Sequence, residues 1–196
     1  MSGKKKKKQL NSGSSISPKP VTIKKQIAFV GKTNSGKSTT ANMLCGTQFK
    51  VGPIHGVTTA IERSRYLDTS YDVVDTPGIL DTTDYSSLIR DTVAESEIVV
   101  FVTTGQMYQQ EYDFFKNLAT SRQKNLQTII VFINKDDLKS ATQSSCEIAT
   151  ERRLICEQVQ AYCDDVVFGA AAPIRNGQRQ SAEIVTLRNS IHQRLK

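Results

Sequence analysis

Eight residues, Gly31-Lys32-Thr33-Asn34-Ser35-Gly36-Lys37-Ser38, set two glycines on either side of four intervening positions and follow them with a lysine and a hydroxyl. Glycine at 31 and 36 lets a backbone wrap closely around a phosphate, with the N–H groups from Thr33 to Thr39 turned inward and a helix N-terminus behind them. Lys37 can reach β- and γ-phosphates as a point charge, and the Ser38 hydroxyl can ligate Mg²⁺. Further along, Asp75-Thr76-Pro77-Gly78 offers a carboxylate to the Mg²⁺ region through water and an N–H, at Gly78, to a γ-phosphate oxygen. Thr58 or Thr59 supplies a hydroxyl that completes the metal shell only while the third phosphate is present. The expected metal ligands are therefore Ser38, Thr58 and Asp75, and the groups acting on the γ-phosphate are Lys37, Thr58 and Gly78.

A third motif, Asn134-Lys135-Asp136-Asp137, selects the base. The Asp137 carboxylate can accept hydrogen bonds from both N1–H and the 2-amino group of guanine, a donor pair that adenine lacks. Lys135 either lies along the base or braces the phosphate loop, and Asn134 ties the two loops together. Gly169-Ala170-Ala171 is expected to back the base through its N–H groups. The three motifs together predict GTP or GDP with Mg²⁺ as the ligands.

Strands and helices must deliver these motifs to one place. The apolar run Ile27 to Val30 reads as a strand before the loop and Lys37 to Leu44 as a helix after it; Gly52, Pro53 and Gly56 punctuate a polar loop. Alternation in Ile61 to Leu67 and Tyr71 to Val74, around Asp68-Thr69-Ser70, predicts a β-hairpin. There follow a helix (Tyr85 to Glu95), a strand (Ile98 to Val102), a helix (Gln110 to Ala119), a strand (Thr128 to Ile133), a helix from about Glu147 to Tyr162, a short strand (Val166 to Phe168) and a final helix with Ile184, Leu187, Ile191 and Leu195 on one stripe. This alternation predicts an α/β domain: a mostly parallel sheet with one antiparallel hairpin strand, helices on both faces, and ligands at the carboxyl ends of the strands.

Charge sets the tail apart from the domain. Six of the 26 basic residues lie in the first 20 positions, among them Lys4 to Lys8, which leaves 20 basic against 19 acidic residues in the remainder. Residues 1–20 are thus expected to be a disordered lysine-rich tail that touches an anionic membrane surface, serves as a nuclear-import or RNA-contacting arm, or simply stays solvated, and residues 21–196 a nearly neutral domain for which DNA is not an expected partner and RNA ranks last. No apolar run approaches the length of a membrane span, and Cys45, Cys146, Cys156 and Cys163 have no metal-like spacing, so they are expected to be reduced, buried thiols in a cytoplasmic protein.

Gly31 to Gly46 resembles the P-loop and first helix of the AIG-type, immunity-associated GTPases, relatives of septins and of the chloroplast import GTPases. Phe49 and Val57-Thr58 look like that family's short insertion and switch threonine, Asp75 to Gly78 is similar to its third motif, and Val102-Thr103-Thr104-Gly105-Gln106-Met107-Tyr108 with Glu111 looks like its characteristic box. The resemblance, from about Gln26 to Phe168, implies a Ras-like G domain, GTP hydrolysis, GTP-dependent self-association through the nucleotide face and association with membranes. Two departures follow it: Gln106 stands where the box commonly has arginine, and Ile79 stands where many Ras-like enzymes place a water-orienting glutamine. Slow intrinsic hydrolysis is expected, acting as a switch or as the clock of a dimerising scaffold. The alternative is a potassium-stimulated, ribosome- or RNA-associated GTPase, because Gly-x-x-Asn-x-Gly-Lys-Ser, with Asn34, resembles the loop of that group; Asn34 as a turn residue is the plainer reading.

Overall fold

The computed structural model describes residues 22–50, 60–79, 86–175, 178–180 and 182–195. Lys4 to Lys8, the Gly52 to Gly56 loop, Thr58 and Thr59 lie outside the described residues. In chain order come β1 (Lys24–Val30), α1 (Lys37–Cys45), β2 (Glu62–Arg65), β3 (Asp72–Asp75), α2 (Ser86–Glu95), β4 (Ser96–Thr103), α3 (Gln109–Ser121) and β5 (Thr128–Ile133). A 3-10 segment (Asp136–Ala141), α4 (Ser145–Val159), β6 (Asp165–Phe168), the small hairpin β7 (Ile174–Arg175) and β8 (Gln178–Arg179), and α5 (Val185–His192) complete it.

Six strands form one sheet in the order β2-β3-β1-β4-β5-β6. Only β2 runs antiparallel to its neighbour; β3, β1, β4, β5 and β6 pair in parallel. A parallel sheet covered on both faces needs apolar side chains at successive positions, which is why the strands read as continuous hydrophobic runs. Their residues still alternate between two cores. Ile98, Val100 and Val102 of β4 join Phe29, Ala41, Leu44, Leu187 and Ile191 on the side of α1 and α5, whereas Val99 and Phe101 join Ile89, Phe115, Leu118, Ile155 and Val159 on the side of α2, α3 and α4.

Element ends depend on local polar chemistry. Gly46, at φ 67°, ends α1 with its N–H on the Asn42 carbonyl at 3.0 Å, a left-handed cap that glycine adopts at little cost. α4 begins at Ser145, two residues before the predicted Glu147, because Ser144 and Glu147 close a capping box: the Ser144 hydroxyl accepts from Glu147 N at 3.3 Å, and Glu147 Oε2 accepts from Ser144 N at 2.7 Å. It ends at Val159, short of Tyr162, whose N–H instead makes a turn bond to the Val159 carbonyl at 2.9 Å. At the far side Tyr66, just past β2, is buried, and its hydroxyl lies 2.6 Å from Nε2 of His192 at the end of α5.

The thiols are less uniform than expected. Cys45 is buried, and burial pushes its thiol up to about 12; Cys163 is half-buried and pushed up to about 11 by the same cause. Cys156 is half-buried and Cys146, in the first turn of α4, is exposed, so burial holds for one of the four. Among the described residues no helix is long and apolar enough to cross a membrane.

Candidate functional site

The parallel register brings the C-terminal ends of β1, β3, β5 and β6 to one edge of the sheet, and every described candidate residue follows one of those ends or opens α1. Gly31 to Gly36 link β1 to α1. Three residues of this loop take positive φ: Gly31 at 153°, Asn34 at 63° and Gly36 at 94°. A Cβ at Gly36 would stand 2.2 Å from Asn134 Nδ2, and one at Gly31 would stand 2.1 Å from the Val102 carbonyl oxygen, so both positions lack room for a side chain. Ser35 N–H closes a turn on the Lys32 carbonyl at 3.2 Å, Lys37 Nζ reaches back to that same carbonyl at 3.1 Å, and Ser38 and Thr39 form the next part of the helix, both half-buried.

Asp75 ends β3 beside the loop. It is fully buried, the Ser38 hydroxyl donates to its Oδ2, and Oδ1 has no hydrogen-bond partner. Burial raises its pKa to about 6 against the lowering influence of the Ser38 hydroxyl and the Lys37 ammonium. Ser35 Oγ is likewise buried without a partner. A glycine cradle, a lysine across it, and a buried carboxylate oxygen left unmet beside a serine hydroxyl fit a nucleoside triphosphate carrying Mg²⁺: Ser38 and Asp75 would hold the metal, which favours the ionised carboxylate.

Thr76 Oγ1 donates to the Phe29 carbonyl at 2.9 Å, which fixes the Asp75–Gly78 turn on β1, and Gly78 follows, buried. Ile79 N–H donates to the Gly31 carbonyl at 3.2 Å, tying this segment to the phosphate loop. The Ile79 side chain is 2% exposed and belongs to the same buried cluster as Val30, Met107 and Phe115. Position 79 is therefore a core position here, beyond merely lacking a glutamine.

At the end of β5, Asn134 spans two loops. Its Nδ2 donates to the Ser35 carbonyl at 2.9 Å, and its Oδ1 accepts from Ala171 N at 2.9 Å. Lys135, at φ 60°, donates from Nζ to the Asn34 carbonyl at 2.9 Å, so of its two expected placements this structure has the brace on the phosphate loop. Asp137 is half-buried and its Oδ2 accepts from Ile174 N at 3.4 Å. An open cavity of about 450 Å³ lies between the phosphate loop and the Lys135–Thr142 segment, lined by Lys32, Thr33, Asn34, Thr104, Lys135 and Leu138 among others. A larger one of about 610 Å³, between α2 and α3, lies beside residues preceding β4 and β5, at the other end of the strands.

One expectation is corrected. Gly169 N–H donates to the Ile133 carbonyl at 3.0 Å and Ala170 N–H to the Glu183 carbonyl at 3.1 Å, so both donors are spent within the fold and neither is available to back a base. Two sets of contacts were not legible in the sequence, although Glu111 itself is named there beside the Val102 to Tyr108 box. Glu111, in the first turn of α3, is 1% exposed and lies 3.5 Å from Lys32 Nζ, which also sits 5.3 Å from the centre of the exposed Tyr108 ring. Asp136, Lys139, Glu151 and Arg152 form a half-dry cluster behind the base motif. Their separation of up to 16 positions leaves no local sequence signal.

Residues 26–135 match the family described as 50S ribosome-binding GTPase. The chain is similar to GTPase Der of Bartonella bacilliformis, 31% identical over 130 residues, which covers 62% of this chain and 27% of Der. It thus spans about a quarter of that curated relative's length. Among solved structures it is similar to Aquifex aeolicus Era bound to GDP and AlF4−, with TM-score 0.63, 19% identity and coverage of 87% of this chain and 56% of that one. It is also similar to a dimerization-deficient mutant of Toc33 from Arabidopsis thaliana, with TM-score 0.63, 14% identity and coverage of 90% and 85%. At these identities the structural likenesses carry the fold.

Proposed function

This chain belongs to the 50S ribosome-binding GTPase family, a GTPase domain that takes GTP or GDP with Mg²⁺, and from that premise we propose a protein that binds guanine nucleotide, hydrolyses GTP slowly and acts as a nucleotide-dependent switch or dimerising scaffold. The observation that supports this best is Asn134, whose one amide joins the phosphate loop at Ser35 to the base side at Ala171. Lys37 and the loop N–H groups bind the phosphates, Asp137 reads the guanine edge, and Gly78 N–H meets the γ-phosphate. Mg²⁺, held at Ser38 and Asp75 with Thr58 or Thr59, neutralises charge on the β- and γ-phosphates. With Ile79 turned into the core, nothing at that position orients the attacking water, and intrinsic turnover is slow.

The finer assignment is to the AIG-type group. It rests on the Val102 to Tyr108 box, which lies against the phosphate loop through Lys32, Tyr108 and Glu111. In this reading GTP drives self-association through the nucleotide face, and Lys4 to Lys8 add weak affinity for an anionic membrane, at roughly 1 kcal/mol per charge before losses. A second reading is favoured by Asn34, exposed at φ 63° at the loop's tip: a potassium-stimulated, ribosome- or RNA-associated GTPase.

GTP turnover in potassium and in sodium, over a range of protein concentration, tests both readings alongside light scattering with GTP, GDP and no nucleotide. A rate that climbs with protein concentration, with scattering raised by GTP, is the expected result. A protein that stays monomeric in every state yet turns over GTP overturns the scaffold. A potassium-specific rate at all concentrations, with a salt-sensitive RNA shift, favours the second reading. Removal of residues 1–20 with unchanged vesicle binding removes the membrane role.

A further inference from the structure

Asp136 and Asp137 are adjacent, yet their carboxylates go to different places. Asp137 is half-buried at the candidate base site, whereas Asp136 is 8% exposed and turned toward α4. There the Arg152 guanidinium pairs with its Oδ2, and Lys139 Nζ lies 3.5 Å from its Oδ1. Lys139 Nζ in turn lies 2.9 Å from Glu151 Oε1, and Arg152 packs its guanidinium 5.1 Å from the centre of the Phe168 ring at the end of β6. The main chain is held as well: Asp136 N–H donates to the Gly169 carbonyl at 3.1 Å. Two acids and two bases, electrically balanced, thus fasten the Asn134–Asp137 turn to α4 and to the loop after β6.

That turn needs fastening. Lys135 sits at φ 60°, a region that costs a side-chain-bearing residue about 1 kcal/mol and persists only where the surroundings hold it. A carboxylate that reads two donors of one base edge also tolerates little misplacement, because both bonds must align together. Asp136 and Lys139 are withdrawn from water and Glu151 largely so, while Arg152 keeps 47% of its side chain exposed; buried charges of this kind are a weak source of stability but costly to leave unpaired and suited to fixing one geometry.

We propose that Asp136, Arg152 and Lys139 are positioning residues that set the aim of Asp137, and through it the strength of discrimination for guanine. This rests on the reading of Asp137 as the guanine contact. The network touches no part of the nucleotide. It acts through the turn, so its loss loosens selectivity for the base more than grip on the phosphates.

Inosine diphosphate, which lacks the 2-amino group of guanine, makes the test. Affinities of the full chain for GDP, IDP and ADP are measured for the wild type, Arg152→Met, Arg152→Lys, Asp136→Asn and the double variant Asp136→Asn with Arg152→Met, with thermal melting of each variant alongside. The wild type is expected to prefer GDP over IDP by about tenfold or more, as a hydrogen bond to a charged group implies. Arg152→Met and Asp136→Asn should each shrink that ratio about threefold or more, the double variant no further than either alone, with Arg152→Lys partly restoring it. Asp136→Asn preserves volume and serves where Arg152→Met does not fold. A GDP-to-IDP ratio unchanged in the folded variants, even with lowered melting temperatures, overturns the positioning role. A wild type that does not distinguish GDP from IDP overturns the reading of Asp137 itself, and the proposal with it.

Discussion

The proposed phosphate end and base end of this site share one sheet edge and differ in which parts of the chain supply their binding groups. At the phosphate end, Gly31, Asn34 and Gly36 bend a continuous run of backbone, and the run's own Lys32 carbonyl takes both Ser35 N–H and the Lys37 ammonium. At the base end the turn is short and its conformation is imposed from outside, by the Gly169 carbonyl, by Arg152 and by Lys139. The anion binders of a phosphate cradle can all come from one run, because repeated N–H groups suffice, even where Ile79, Lys135 and Asn134 brace its carbonyls from outside. A reader of one base must be aimed, and aiming recruits elements distant in the chain.

That contrast can be broken most forcefully at Lys37. Lys37→Ala should weaken GDP, IDP and ADP alike, by about a hundredfold, as loss of a charge-assisted phosphate contact implies; fluorescence titration checks it, and a variant that still binds at wild-type affinity removes the phosphate assignment. Asp137→Ala should do the reverse: GDP affinity falls by about tenfold to a hundredfold while the GDP-to-IDP ratio collapses toward one. Asn134→Ala sharpens the comparison by striking both ends. It leaves the Ser35 carbonyl and Ala171 N–H without their partner, costing about 2 kcal/mol and lowering the melting temperature by about 4–8 °C.

The smallest effect belongs to the α4 cap, which anchors the helix carrying Arg152. Ser144→Ala should cost about 1 kcal/mol. The Glu147 carboxyl, accepting from the Ser144 N–H and then from its hydroxyl, is held below the usual carboxylate range. A carboxyl so lowered stabilises the fold above its unfolded pKa and loses that contribution as pH falls through its folded value. The difference in melting temperature between wild type and Glu147→Gln should therefore be present at neutral pH and vanish in acid. A difference that persists at low pH would show that the cap owes nothing to the charge.

The same contrast explains what was legible in the sequence. The six-stranded α/β sheet, its hairpin and its strand ends could be read because apolar runs and turn residues are local signals. The Gly31 to Ser38 loop could be read because all its parts are consecutive. Asp137 was visible as a residue, but its support was not: Asp136 and Arg152 are joined only after a 3-10 segment and two turns of α4 bring them together. Gly169 and Ala170 advertise N–H donors without advertising the acceptors that consume them. Ile79 shows no polar group, yet only packing reveals that its side chain belongs to the core. The capping box at Ser144 and Glu147 is a local pattern, serine followed three residues later by glutamate, that marks the true start of α4, while β7 and β8 are two residues each, too short for any periodic pattern.

β2 terminates the sheet, and its residues are Glu62, Arg63, Ser64 and Arg65. Arg63 folds back to Gln26 Oε1 at 2.7 Å, and Arg65 lies 3.3 Å from Asp72. An edge strand this short and this charged resists being lengthened by a stranger's strand, since an incoming chain would have to pair its own backbone alongside ionised side chains. The domain is in this way insulated against fibril growth at that border.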